Sequence, residues 1–394
     1  MNYLIIKEHY KNGNFEIRQG KQGNINIVTT NSPIIGVISS ENPEKDFHFN
    51  ISCHSNEEII GYCKFDFSMM KNETLAMVHF PISATSYITF KILWIKPYKT
   101  QLSKTNSINY PKLFTIGHRG LGQNTVTKEY YENSIPSFKA AAERGADFVE
   151  FDIQMSKDGV PVIYHDFHIE SNEPIHHFPE PVTKSNSGKY LYAVQQLNCN
   201  EFKDHGLTTS YQTENVTLEE MLTQLPMSIG FDAEVKYPCY KKLNKTIPYC
   251  EVNKFVDTIL DVFEKNAGER KVFFSSFDPL IVIALRLKQS RWPVFQLFEK
   301  ARKESVHDMV KKVHSFVEIH KTIGIEGFVG DSNHLILAPC LIKEIIDNNF
   351  VLCSYGDQND IKNGIDKQIQ LGIKGFCTNK VDIVSKIIIH KDKL

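Results

Sequence analysis

Two hydrophobic rhythms divide this chain. Up to about Lys99 the apolar positions alternate with polar ones or form short β-rich runs, as in Ile25-Asn26-Ile27-Val28, Phe47-His48-Phe49-Asn50-Ile51 and Ile88-Thr89-Phe90-Lys91-Ile92-Leu93-Trp94-Ile95, between Asn, Gly, Ser and Glu turns. Several short strands without helical periods predict a small all-β, sandwich-like domain over 1–99. The polar stretch 100–112, with Ser103, Thr105, Asn106 and Ser107, reads as a linker.

From Leu113 the pattern becomes strand then helix, repeatedly. The predicted staves are Leu113 to Gly117, Phe148 to Ile153, Gly230 to Lys236, Lys271 to Ser276, Pro293 to Phe298, Gly327 to Gly330, Phe350 to Ser354 and Gly375 to Thr378. Helices are expected over Ser137 to Arg144, Val252 to Lys265, Asp278 to Lys288, Cys340 to Asn348 and Ile361 to Leu371, and a capping-box helix opens at Thr217-Leu218-Glu219-Glu220. One further run, Val160 to Tyr164, follows Phe148 to Ile153 after only the tight turn Ser156-Lys157-Asp158-Gly159. A parallel crossover needs about a dozen residues or more, so this run must return antiparallel, and it is not a stave. Eight alternating units predict a (β/α)8 TIM barrel over 113–394, with its site at the C-terminal ends of the strands. The polar, Pro-interrupted segment 167–215 reads as a surface insertion.

Composition changes this picture little. With 45 Lys and Arg against 46 Asp and Glu, the formal charge of -1 offers no general attraction for nucleic acid or an anionic membrane, so a phosphate would have to be met at a built site. The eight cysteines form no C-x-x-C pair, which favours reduced thiols. The apolar run of the N-terminus stops at Ile6, short of a secretory or membrane-anchoring segment, so a cytoplasmic protein without stable membrane anchoring is expected. The terminal Lys391-Asp392-Lys393-Leu394 resembles a luminal retrieval signal only loosely and is read as chance.

The chemistry concentrates at the stave ends. Residues two apart on a strand share a face, so Glu150 and Asp152 point one way, while Glu234 and Lys236 share a face on the third stave. Three carboxylates make a hard-cation site, and Lys236 offsets the remaining charge of a phosphate. His118 and Arg119 end the first stave beside Gly120; Arg can fork onto two phosphate oxygens. His165 comes off the hairpin return, and two histidines suit in-line displacement at phosphorus, one as base and one as acid. A carboxylate standing alone at a strand end is ordinarily a solvated surface group. Here the candidates gather at the ends of three staves or their hairpin. Glu132-Asn133 is read as capping the first helix, Asp232 as structural, and His176-His177 as exposed loop.

The ordered set His118-Arg119-Gly120, Glu132-Asn133, Glu150-Phe151-Asp152, Ser156-Lys157-Asp158-Gly159, His165-Asp166, Glu234-Val235-Lys236 and Ser275-Ser276-Phe277 resembles the glycerophosphodiester phosphodiesterases over about Leu113 to Ile388. The resemblance implies a phospholipase-C-like TIM barrel, a divalent metal (Mg2+ or Ca2+) held by Glu150, Asp152 and Glu234, and His118 and His165 as the acid/base pair. Runs such as Phe148-Val149-Glu150-Phe151-Asp152 are similar to the eukaryotic cytosolic branch acting on glycerophosphocholine, which carries a β-rich region ahead of its barrel. Animal members begin with a starch-binding module, for which this chain has no room. Near the seventh stave the family usually places a Trp where this chain reads Cys353-Ser354-Tyr355-Gly356-Asp357; Tyr355 and Tyr237 are the candidates for a choline ammonium.

The expected reaction is metal-dependent hydrolysis of glycerophosphocholine to glycerol 3-phosphate and choline, with Arg119 and Lys236 on the phosphate. Direct attack by water and attack by a glycerol hydroxyl through a cyclic phosphate both remain open. A lysophospholipase D would need an apolar groove that the polar 167–215 insertion does not suggest. A non-catalytic protein acting through its β domain would be expected to have lost part of the intact set. The expected partner is a small glycerophosphodiester, not nucleic acid, and no protein partner is singled out.

Overall fold

The computed structural model describes residues 2–11, 16–19, 36–40, 48–55, 58–66, 70, 75–81, 87–100, 110–126, 129–171, 183–185, 188–205, 215–238, 250–300 and 304–392. They fall into two compact units: Met1–Ser103 with Ile283–Ser290 and Lys300–Ile325, and Lys104–Val282 with Arg291–Glu299 and Glu326–Leu394.

The first unit contains β1 (Asn2–Lys11), β2 (Glu16–Gln19), β3 (Gly36–Ser40), β4 (His48–Ser55), β5 (Glu58–Asp66), β6 (Leu75–Pro81) and β7 (Tyr87–Ile95). They form two sheets, ordered β3-β1-β7-β6 and β2-β4-β5, in which every pairing is antiparallel. Of the expected alternating runs, His48–Ile51 lies in β4 and Ile88–Ile95 in β7. Ile25–Val28 and His176–His177 lie outside the described residues.

In the second unit the staves are β8 (Phe114–Gly117), β9 (Phe148–Met155), β14 (Gly230–Val235), β15 (Val272–Ser276), β16 (Val294–Phe298), β17 (Gly327–Asp331), β18 (Val351–Tyr355) and β19 (Gly375–Thr378). They pair in this order, all parallel, and β19 and β9 both pair with β8 to close a ring of eight. Between staves the chain forms α1 (Ile135–Glu143), α2 (Cys199–His205), α3 (Leu218–Gln224), α4 (Val252–Asn266), α5 (Pro279–Lys288), α6 (Val306–Ile323), α7 (Ser332–Leu337), α8 (Pro339–Asp347) and α9 (Lys362–Gln370), with α10 (Val381–Asp392) at the end. The expected capping box is formed: Thr217 Oγ1 accepts from the Glu220 N–H, and Glu220 accepts from the Thr217 N–H.

The return strand β10 (Pro161–Ile163) runs antiparallel to β9, outside the ring, as turn length requires. Ser156 Oγ accepts the Val160 N–H within the turn, where Gly159 adopts φ +82°. The insertion that follows is more than loop. It folds β11 (His168–Ser171), β12 (Thr183–Lys184) and β13 (Tyr190–Ala193) into a small antiparallel sheet, and Ile169, Tyr192, Val194, Leu197 and Phe202 bury themselves with Val162 of the return strand.

Period-two alternation also stratifies the interior of the barrel. The end where the staves begin is aromatic: Phe114, Phe148, Phe273 and Phe295 fill it, and Tyr110, from the end of the expected linker, stacks on Phe114 with ring centroids 5.5 Å apart. Gly230 makes room for Phe148, since a β-carbon there would fall 2.4 Å from the ring. Gly375 does the same for Phe114, at 2.5 Å. Large rings and missing side chains thus share one layer, and the polar residues of the same staves are left for the other end.

Candidate active site

On β9 and β14 the alternation that sends Phe148 inward sends Glu150 and Asp152 inward too, alongside Asp232 and Glu234. The parallel register sets Asp232 beside Glu150 and Glu234 beside Asp152. One carboxylate oxygen from each of Glu150, Asp152 and Glu234 lies within 4.8 Å of the others. Lys236, just past β14, brings its Nζ to 3.3 Å from Asp152 Oδ1 and 3.6 Å from Glu234 Oε1.

Arg119 enters from the turn after β8. Its backbone takes φ +49°, unusual for a side chain with a Cβ, and its N–H donates to Glu150 Oε2 at 2.8 Å. The guanidinium pairs with Glu132 Oε1 at 2.8 Å and approaches Asp152 Oδ2 at 3.8 Å. Glu132 is held in turn, its Oε2 accepting the Asn124 N–H at 2.7 Å. Asn133, at φ +56°, donates from Nδ2 to Asp152 Oδ2 at 2.9 Å. The expected capping role for Glu132-Asn133 is therefore corrected: Ser134 is the N-cap of α1, its hydroxyl accepting the Ser137 N–H. A single residue suffices to cap, and the two before it turn instead to Arg119 and to Asp152.

These contacts charge the cluster unevenly. Burial alone would raise Asp152, but Lys236, His165, Arg119 and the Asn133 hydrogen bond outweigh it and hold the carboxyl low. Burial raises Glu150, reinforced by Asp152 and Glu234, and burial also raises Glu234 despite Lys236. Burial would likewise discharge Lys236, yet Glu234 and Asp152 keep it protonated. Asp232, one layer deeper, is pushed up to about 8 by burial, against the hydroxyl of Ser275 that donates to its Oδ1 at 2.7 Å.

The donor set suits a divalent cation. Asn133 Oδ1 is buried and accepts no hydrogen bond among the described residues, and Asp152 Oδ1 faces the Lys236 ammonium at 3.3 Å. The carboxyl groups of Glu132, Glu150, Asp152 and Glu234 outnumber the two cations, Arg119 and Lys236, that stand among them. Carboxylate and carbonyl oxygens are the ligands a hard ion takes.

His118 and His165 sit in the electrostatic reach of each other and of Asp152. His118 Nδ1 is 2.8 Å from Asn379 Oδ1, and burial, then Arg119, pushes the ring down to about 4, so it is neutral near pH 7. His165 Nδ1 is 2.7 Å from Asp166 Oδ1 instead, and this hydrogen bond holds Asp166 below the usual carboxylate range. Asn379 is not singled out by the sequence pattern, although its place directly after the last stave is a signal. The tyrosines differ. Tyr355 ends β18, its ring edge-on to half-exposed Phe277 at 6.0 Å, and burial raises its phenol. Tyr237 turns away from Lys236: its hydroxyl donates to Cys250 O at 2.5 Å and its ring packs edge-on to Phe255.

A barrel whose catalytic face gathers this set can be compared with known proteins. The profile of the "Glycerophosphoryl diester phosphodiesterase family" matches residues 118–383, from the first site histidine into α10. The chain belongs to that family. Its relatives include the glycerophosphocholine phosphodiesterase GDE1 of Candida albicans, 30% identical over 353 residues, which cover 75% of this chain and 30% of the relative. The corresponding gde1 of Schizosaccharomyces pombe is 28% identical, over 71% of this chain and 28% of the relative. This chain thus spans less than a third of the length of the fungal proteins. Against the glycerophosphodiester phosphodiesterase GDPD3 of Arabidopsis thaliana it is 29% identical, covering 80% of the relative.

Solved structures agree on the fold. A glycerophosphodiester phosphodiesterase of Parabacteroides distasonis superposes with TM-score 0.52 at 18% identity, over 73% of this chain and 100% of that one. An Oleispira antarctica phosphodiesterase, solved in complex with the product sn-glycerol-3-phosphate, gives 0.52 at 16% identity, over 70% and 96%. The glycerophosphodiester phosphodiesterase family is metal-dependent, which accords with the acidic cluster here. Among the described residues no helix is long and apolar enough to cross a membrane.

Proposed function

We propose that this chain hydrolyses glycerophosphodiesters with a bound Mg2+ or Ca2+, and that its substrate is glycerophosphocholine, cut to glycerol 3-phosphate and choline. The observation that carries the reading is the convergence of Glu150, Asp152 and Glu234 to within 4.8 Å beside Lys236 and Arg119. Those three carboxylates would hold the ion, which when bound polarises a phosphate oxygen. Arg119 and Lys236, both kept cationic, take up the remaining phosphate charge. Neutral His118 can accept a proton from the attacking hydroxyl, and His165, backed by Asp166, can deliver one to the leaving alcohol.

For the head group we assign more weight to Tyr355 than to Tyr237. Tyr355 shares an aromatic corner with Phe277 and feels the charges of Glu299 and Asp331, which suits a quaternary ammonium. We read 1–99 as a separate all-β domain and 113–394 as the catalytic domain carrying the 167–215 insertion, supported by the change from antiparallel sheets to a parallel ring. A cytoplasmic setting fits the free thiols of Cys199, Cys250, Cys340, Cys353 and Cys377.

Choline release from glycerophosphocholine tests the reading. Release by the parent should cease with chelator and return with added Mg2+ or Ca2+, and Glu234→Gln should be slower by about a hundredfold or more, the scale of losing one charge that stabilises a transition state. A folded parent without chelator-sensitive activity on any glycerophosphodiester would overturn it.

A further inference from the structure

The two histidines of the site have unlike partners. His165 faces a carboxylate, but His118 faces an amide, and that amide is itself held. Asn379 Oδ1 receives His118 Nδ1 at 2.8 Å and also the backbone N–H of Gln123 at 3.0 Å. A backbone N–H can only donate, so the atom facing His118 must be the oxygen. The other end of the amide gives the same answer independently: Asn379 Nδ2 donates to Asp360 Oδ2 at 3.0 Å, while Asp360 Oδ1 receives the Asn379 N–H at 2.9 Å and the Thr378 hydroxyl at 2.6 Å. Asp360 belongs to a 3₁₀ turn, Asp357–Asp360, after β18, and Asn379 follows β19, so the relay spans two stave ends before it reaches the first. His118 is further fixed by its own N–H, which donates to Thr378 O at 3.0 Å.

We propose that Asp360 and Asn379 are positioning residues that lock His118 in the tautomer carrying its proton on Nδ1, leaving the Nε2 lone pair as the base of the reaction. The amide oxygen cannot donate to Nδ1, so the neutral ring has no other way to complete the bond. An amide partner adds no charge to favour an imidazolium at His118. The assignment rests on the reading above and makes it specific. The nucleophile's O–H proton passes to Nε2 of His118 as its oxygen bonds to phosphorus, the bond from phosphorus to the leaving oxygen breaks, and that oxygen takes the proton of His165. Asn379 binds His118, the Gln123 N–H and Asp360, and Asp360 binds Asn379 and the Thr378 hydroxyl. Neither is expected to contact substrate.

Long-range 1H–15N spectra of the full chain labelled in its histidines read the tautomer directly, with the His118 signals identified by their loss in His118→Gln. The parent should show a protonated Nδ1 and a pyridine-type Nε2. Asp360→Asn keeps the shape but presents a donor where only an acceptor stood. This lets the Asn379 amide turn over, so His118 should become a mixture of tautomers and kcat should fall at least tenfold with KM within about twofold. The exchanged pair Asp360→Asn with Asn379→Asp again presents oxygen to His118 and should recover the single tautomer and most of kcat. A merely structural contact would predict no such rescue. A parent with Nε2 protonated, or an Asp360→Asn variant that keeps both its tautomer and its kcat, overturns the proposal. If the parent hydrolyses no diester, the functional reading fails while the spectrum still decides the tautomer.

Discussion

Asp232→Asn isolates one buried carboxyl beneath the cluster. Asp232 is 2% exposed, accepts from the Ser275 hydroxyl, and has its pKa pushed up to about 8 from 3.8 by burial and then by Glu234 and Asp152. The folded carboxyl binds its proton more tightly than the unfolded one, so its contribution to stability is complete below about pH 4 and is lost as pH rises through about 8. Four pKa units at about 1.4 kcal/mol each give on the order of 5 kcal/mol over that window. Relaxation of the site reduces the part falling between pH 5 and pH 8 to about 2–4 kcal/mol. Asn resembles the protonated acid and cannot titrate. Urea unfolding of parent and variant in chelator, at pH 5 and pH 8, should show the parent losing about 2–4 kcal/mol more than the variant across the interval. Parallel losses would refute the neutral Asp232. Activity at pH 7 should change by less than about tenfold, because the variant keeps the protonation state the site already uses.

Glu132→Gln removes the anionic partner of Arg119 while keeping an acceptor for the Asn124 N–H, and kcat/KM on a glycerophosphodiester should drop about 10- to 100-fold, the worth of a hydrogen bond to a charged group. Glu129→Gln, whose partner Arg144 is well exposed, is the control and should leave kcat/KM unchanged in the same steady-state assay. At the other end of the barrel, Gly230→Ala would drive a β-carbon to 2.4 Å from the Phe148 ring and should cost about 1–3 kcal/mol in thermal or urea unfolding, part of it recovered in the double variant with Phe148→Leu.

What the chain determines by itself is what short covalent spacing can encode. Period two puts Glu150 with Asp152 and Glu234 with Lys236 before any tertiary contact exists. The length of the Ser156–Gly159 turn makes Val160 to Tyr164 a returning strand, and the alternation of strand and helix after Leu113 is legible as eight barrel units. The insertion was harder to read because its small core is built from apolar residues scattered through polar sequence, so no periodicity announces Ile169, Tyr192 and Phe202 as neighbours. The same limit applies to Glu132 and Asn133, whose place just before a helix suggests a cap until Arg119 and Asp152 arrive beside them. Tyr237 and Tyr355 are equivalent as residue types, and only packing turns one onto Phe255 and the other onto Phe277. Ring closure decides most: pairing β19 with β8 brings Asn379 to His118 across 261 residues, and selects its tautomer through a contact that no local pattern carries. Local spacing sets which face a side chain takes; only closing the barrel sets which partner it meets there, because that partner comes from a distant stave end.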